Sequence, residues 1–220
     1  MARKDTDHLI STLARGLTPV RTLRSPMIRA SGALTVVFLI LGFSVWLKAD
    51  LAVFAARHTE PRMIMESLAI LLTGICAVIA AFYLSIPGRS TLWLYLPLPP
   101  LAIWTAASSL GCIRTGASLG SPPLGLPHSM HCFIFIVAVS VPAIAFLFVL
   151  LRRARPLNPI PVSLAAALGA AAVAAFALEF FHPFDITRMD FSFHLAAVGA
   201  VIAPATKLRY IGETTPESLR

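Results

Sequence analysis

The stretch GCIRTGASLGSPPLGLPHSMHC, Gly111 to Cys132, lies between two long apolar runs and is polar by contrast. Two of the three cysteines, Cys112 and Cys132, stand at its ends, and it also carries His128 and His131. A short polar stretch between two apolar runs of that length reads as a loop joining two membrane spans at one face of a bilayer. That reading decides the fold class: an all-α, polytopic integral membrane protein.

Composition supports it. The chain has 220 residues, 57% of them hydrophobic and 13% charged. A soluble domain carries about 25% charged residues. The mean hydropathy of +0.81 points the same way. About 20 apolar residues cross the hydrocarbon layer, so the chain has room for six crossings and no sizeable soluble domain. The net charge of +8 sits in tails and short loops, the pattern that sets membrane orientation and not a nucleic-acid surface. The first apolar run begins near Ala30, is longer than a signal-peptide core, and ends in Trp46-Leu47-Lys48-Ala49-Asp50 without a small-residue cleavage site. It reads as a permanent anchor.

Residues 1–29 are polar and basic. Asp7 is a candidate helix N-cap, and Leu9, Ile10, Leu13 and Leu17 follow at helical spacing until Pro19 ends the helix. A basic amphipathic helix of this kind lies on lipid or docks its apolar stripe into a partner's groove. From pattern alone the two readings stand even. Arg21, Arg24 and Arg29 then lead to the membrane, with Pro26 as a break.

The expected spans are Ala30 to Leu47, Ser67 to Ile86, Thr91 to Leu110, Phe133 to Leu151, Val162 to Phe181, and the weak Phe191 to Thr206. A loop of about eighteen residues separates the first two, and Pro87-Gly88-Arg89-Ser90 makes a tight turn after the second. Pro97, Pro99 and Pro100 are expected to kink or unwind the third span, which neighbouring helices can cover. Trp93, Tyr95 and Trp104 are expected near the interfaces. The fifth span is rich in Ala around Gly169, which suits close helix contact in lipid. Residues 207–220 form a basic tail.

On this division thirteen Lys and Arg fall on the side of both termini and five on the other. The side richer in Lys and Arg is cytoplasmic, so both termini are expected inside and the 111–132 loop outside.

In a bacterium that outer side is the oxidising periplasm, where disulfides persist. Cys112 and Cys132 then read as a structural disulfide, a thiol–disulfide switch, or thiolates for a soft metal. His128, His131 and Cys132 could form part of a soft-metal site. Cys76, within a span, reads as an inert buried thiol. Acidic and basic residues are nearly absent from the span centres, with Glu66 and Glu179 near span ends. The lack of a mid-membrane relay argues against ion-coupled transport. There is no phosphate-binding Gly loop, no HExxH and no Ser–His–Asp set, so no enzymatic activity is expected.

The order and spacing of several elements resemble the NrsF family of bacterial inner-membrane anti-sigma factors. They are Leu9-Ile10, Leu13 and Leu17-Thr18-Pro19-Val20 followed by Leu23 and Pro26; Lys48-Ala49-Asp50-Leu51; Ala80-Ala81-Phe82 with Ile86-Pro87-Gly88-Arg89; Trp104; Gly111-Cys112 and Cys132-Phe133; Phe181-His182-Pro183-Phe184-Asp185; and His194-Leu195. The resemblance implies six spans and a cytoplasmic N-terminal segment, 1–29, that holds an extracytoplasmic-function (ECF) sigma factor. Its sigma-binding residues here are Leu9, Ile10, Leu13, Leu17, Pro19 and Val20. It also implies that Cys112 and Cys132 release the sigma factor under metal or oxidative stress. His128 and His131 lie outside the family pattern. The expected partners are the sigma factor and membrane lipid, with no direct nucleic acid and no cofactor beyond a soft metal ion as signal. Two other classes stand beside this one: a small metal-handling or transport protein using the outer Cys and His residues, and a structural subunit braced by a loop disulfide.

Overall fold

The structure is a computed structural model, and it describes residues 2–15, 22–48, 51–117, 126–180, 192 and 195–200. The described residues are all-helical. The elements are α1 (Ala2–Arg15), α2 (Pro26–Lys48), α3 (Leu51–Arg57), α4 (Pro61–Leu84), α5 (Leu98–Ala117), α6 (Leu126–Leu151) and α7 (Pro159–Leu178), with 3-10 turns at Thr91–Tyr95 and Arg152–Ala154.

Proline sets three of the seven helix starts among the described residues. Pro26, Pro61 and Pro159 each open a helix, where a missing N–H costs nothing. At Pro26 the Ser25 hydroxyl also accepts from the Ile28 amide at 3.4 Å. The first span therefore begins at Pro26, and Arg29 belongs to it and not to the N-terminal tail. The expected first loop is largely helical, because α3 occupies its middle and α4 reaches back to Pro61. The tight turn is present. Gly88 takes φ +80°, and the Arg89 amide bonds the Ile86 carbonyl at 3.3 Å, the geometry of a type II turn that needs Gly at its third position.

The third span is displaced. Thr91–Tyr95 forms a separate 3-10 turn whose Trp93 ring stacks on Tyr83 at 3.9 Å. The α-helix runs from Leu98 to Ala117, with Pro99 and Pro100 in its first turn, so the expected span is partly unwound at its proline-rich start. Trp104 is no interface anchor. It is buried against Ile70 and Ala172. The expected loop at 111–132 is also shorter, because α5 continues through Cys112 and α6 begins at Leu126.

Among the described residues four helices are long and apolar enough to cross a membrane: Pro26–Phe43, Pro61–Leu84, Phe133–Ala154 and Pro159–Leu178. α5 has the length, but its prolines, serines and Arg114 make it more polar. Of the expected sixth span, residues 195–200 are helical, and Ala197 is buried with Ile136, Ala174 and Leu178. Ser192 is helical as well, and the remaining residues of that span and the 207–220 tail lie outside the described residues.

Neighbouring helices run antiparallel. Ala33 of α2 joins the cluster around Val78, while Arg29 reaches Phe82. Ile70 meets Trp104, and Gly74 and Val78 of α4 meet Val173 and Gly169 of α7. At one end of α6 Ile136 packs by Leu178, and at the other Leu147 and Leu151 pack by Val162 and Ala166. The α4 N-terminus, the α5 C-terminus, the α6 N-terminus and the α7 C-terminus therefore share one end of the bundle. Arg29 and the α6 C-terminus share the other.

Candidate functional site

The first of those ends holds a buried polar cluster within an apolar protein. α4 carries Arg62, Glu66 and Ser67 in its first two turns. Glu66 is 1% exposed. Arg62 and Glu66 are four apart on one helix face, and Arg62 Nη1 donates to Glu66 Oε2 at 3.2 Å. Ser108 of α5 donates to the other carboxylate oxygen at 2.7 Å. Glu60, at the cap, lies 3.6 Å from Arg62 Nε. The guanidinium rests over Gly111, where an added Cβ would stand 2.5 Å from Nη1. The charge pair on α4 is thus joined to α5 through the Ser108 hydroxyl, and its guanidinium lies over Gly111, one residue before Cys112.

The second half of the cluster joins α4 to α7. Glu179, at the α7 C-cap and 7% exposed, accepts from the Ser67 hydroxyl. His58, in the turn after α3, lies 2.8 Å from Ser67 Oγ through Nε2 and 3.8 Å from Glu179 Oε2. Its ring lies tilted against Phe54, centroids 3.9 Å apart, and Phe54 stacks on Phe180 at 4.2 Å. Paired in this way the charges are tolerable in a low-dielectric bundle, where a single one is costly. The sequence places Glu66 and Glu179 near span ends but does not show their partners. The available signal was local: His58, Arg62 and Glu66 recur every four residues.

The expected site residues fall in two regions. On α1, Leu9, Ile10 and Leu13 are 58, 59 and 64% exposed, an uncovered apolar stripe. The Ser11 and Thr12 hydroxyls beside it turn back to the His8 carbonyl at 2.8 Å each. Leu17, Pro19 and Val20 lie outside the described residues. At positions 112, 128, 131 and 132 the description extends to the helical backbone only. Cys112 is one turn beyond Ser108 on α5, and Cys132 is one turn before Ile136 on α6, so both backbones are at the end that holds Glu66 and Glu179. Cys76 is a free, half-buried thiol in α4. Among the described residues no three His, Cys, Asp or Glu side chains gather to hold a metal ion.

Among the described residues, an all-helical bundle with four helices of membrane-crossing length, beside an amphipathic helix with an uncovered stripe, is consistent with a membrane protein. The chain belongs to the family described as NrsF, negative regulator of sigma F, whose model matches residues 13–207. Its role at family level is therefore regulatory, and its partner is a sigma factor. The match takes in Leu13, Leu17, Cys112 and Cys132 and leaves out Leu9 and Ile10. Neither a curated protein nor a solved structure matches the chain.

Proposed function

We propose that this chain is a multi-pass anti-sigma factor of the bacterial inner membrane that sequesters an ECF sigma factor through its N-terminal segment. The observation that carries the reading is the exposed stripe Leu9, Ile10 and Leu13 on α1, in a chain whose family regulates a sigma factor. Leu17, Pro19 and Val20 continue the docking surface, which covers part of the sigma factor needed for RNA polymerase. Both termini are cytoplasmic, as the excess of Lys and Arg requires, and the bundle end that carries positions 112 and 132 faces the periplasm. A change at Cys112 and Cys132, by oxidation or by a soft metal, then shifts the bundle between two arrangements and weakens the grip. The helical backbone over 126–132 supports a metal as one signal: positions 128, 131 and 132 have the spacing of one helix face.

Replacing Leu13 and Leu17 together by Asp tests the docking arm. Full-length protein with both changes should fold normally and lose co-purification with the sigma factor by about a hundredfold, the scale of two lost apolar anchors. Repression unchanged from wild type overturns the reading. Replacing both Cys112 and Cys132 by Ser should keep repression and blunt the response to cadmium or peroxide. A full response in that variant removes the cysteines from the mechanism.

A further inference from the structure

The end of the bundle away from Glu66 and Glu179 gathers cations without a counter-charge. Arg29 of α2 donates from Nη2 to the Leu150 carbonyl and lies over the Phe82 ring. Its other terminal nitrogen, Nη1, is buried and has no hydrogen-bond partner. A guanidinium holds five N–H donors in a fixed fork, so Arg29 has donors left to give. Arg153, in the 3-10 turn after α6, stands near enough to repel it. Arg152 and Arg155 flank Arg153, and all three are exposed. Arg89 lies over the Tyr83 ring, 5.8 Å from its centroid, at the same end of α4. Among the described residues none of these arginines is in an ion pair. The carboxylates described on the bundle, Glu60, Glu66 and Glu179, are all at the opposite end.

Like charges beside a low-dielectric bundle repel, and an enclosed N–H without an acceptor costs free energy. An anion between Arg29 and Arg153 relieves both. Planar forks suit the paired oxygens of a phosphate. The Arg29 side chain as a whole is only half-buried, so a small rotation of the guanidinium brings Nη1 to the surface. The neighbours say where the phosphate comes from. Tyr83 and Trp93, both half-buried, stack at 3.9 Å beside Arg89, and such rings mark the headgroup level of a bilayer. Met27 and Ile28, next to Arg29 in the first turn of α2, are 50 and 56% exposed. That apolar flank suits acyl chains, and a free anion in water has no use for it.

We propose that Arg29 and Arg153 form a binding site for the phosphodiester headgroup of an anionic phospholipid, which bridges the first turn of α2 to the C-terminal end of α6. Nη1 of Arg29 and the Arg153 fork donate to the phosphate oxygens, while Arg152 and Arg155 add charge at the rim. α2 follows the docking arm directly, so the lipid holds the root of that arm to α6. The site rests on the chain being a membrane protein. It does not depend on what the arm binds.

Native mass spectrometry of the full chain in neutral detergent tests it, with phosphatidylglycerol titrated against phosphatidylcholine of the same acyl chains. The first phosphatidylglycerol should bind about tenfold more tightly than phosphatidylcholine, the scale of one charge-assisted hydrogen bond. Arg153→Gln and Arg29→Met should each bring the two lipids to within about twofold of each other. Arg24→Gln removes the same charge from the exposed segment before α2, and it should keep the full preference. Equal affinities in wild type, or a preference kept in Arg153→Gln, overturn the site. An equal loss in Arg24→Gln overturns it too, because only a general attraction to basic residues is then left. Should Arg29→Met fail to fold, the exposed Arg153 decides alone through Arg153→Gln. Inorganic phosphate should not displace the lipid; displacement assigns the site to free phosphate and overturns the lipid as its ligand. No sigma factor enters these measurements, so the site and the proposed function fail separately.

Discussion

Gly111 is the residue at which the buried charges constrain the backbone most closely. The Arg62 guanidinium lies over it, 2.5 Å from where a Cβ would be. A side chain end can move, but this one is held by Glu66 at 3.2 Å and has little free space. Gly111→Ala should therefore displace Arg62 and lower stability by roughly 2 kcal/mol, the scale of a buried charged hydrogen bond left unmade. Glu66→Ala goes further and strands the guanidinium, at a cost of about 3–5 kcal/mol. Thermal unfolding in detergent measures both, and a wild-type midpoint in either variant dismisses the pair as a stabilising contact. The sequence hinted at this pair through the i, i+4 spacing of Arg62 and Glu66. It held no sign of Ser108 or Gly111, which join the pair across 42 and more residues of chain.

At the scale of elements, α4 and α7 form the central crossing. Their backbones approach because glycines face the partner helix reciprocally. A Cβ on Gly74 would meet Val173 Cγ2 at 2.8 Å and its backbone N at 3.3 Å, and one on Gly169 would meet Val78 Cγ2 at 2.8 Å and its N at 3.2 Å. Small residues give close packing in lipid, where there is no hydrophobic drive between helices. Gly169→Ala should cost about 1–2 kcal/mol, as overpacking outweighs the gain in helix propensity. Gly32→Ala on α2, with nothing within 4 Å of its Cβ, should be neutral or stabilise by up to about 1 kcal/mol. Equal unfolding midpoints for the two variants would contradict this account. The expectation of close contact at Gly169 is met, and the helix that makes it is α4.

At the scale of the whole molecule, α6 connects the two ends of the bundle. Cys132 lies in its second turn, and its C-terminal carbonyl at Leu150 accepts from Arg29 Nη2 at 2.9 Å. Arg29 also sits over the Phe82 ring at 5.1 Å, in the first turn of α2, directly after the N-terminal segment. The cation favours the negative end of the α6 dipole as well as that one carbonyl. Arg29→Met keeps the length and removes both attractions, so it should lower stability by about 2 kcal/mol. Within the proposed function it should also raise basal sigma activity, by loosening the root of the docking arm while Cys112 and Cys132 remain intact. A reporter at wild-type level in a variant of lowered stability would confine Arg29 to a structural role.

What the sequence determined by itself was local along the chain. Apolar run lengths predicted all-helical spans, Pro87-Gly88 predicted a turn, and the spacing of Leu9, Ile10 and Leu13 predicted the α1 stripe that is now seen uncovered. These follow from backbone chemistry and hydrophobic period, which need no distant partner. Pro97, Pro99 and Pro100 likewise act locally: the expected third span is interrupted there, with a 3-10 turn over Thr91–Tyr95 and an α-helix that starts only at Leu98. Only the tertiary structure decided that Trp104 is core, that Arg29 clasps α6, and that Ser67 meets Glu179 across 112 residues. Buried polar groups must find partners wherever the folded chain brings them, and their distance along the chain carries no trace of that choice.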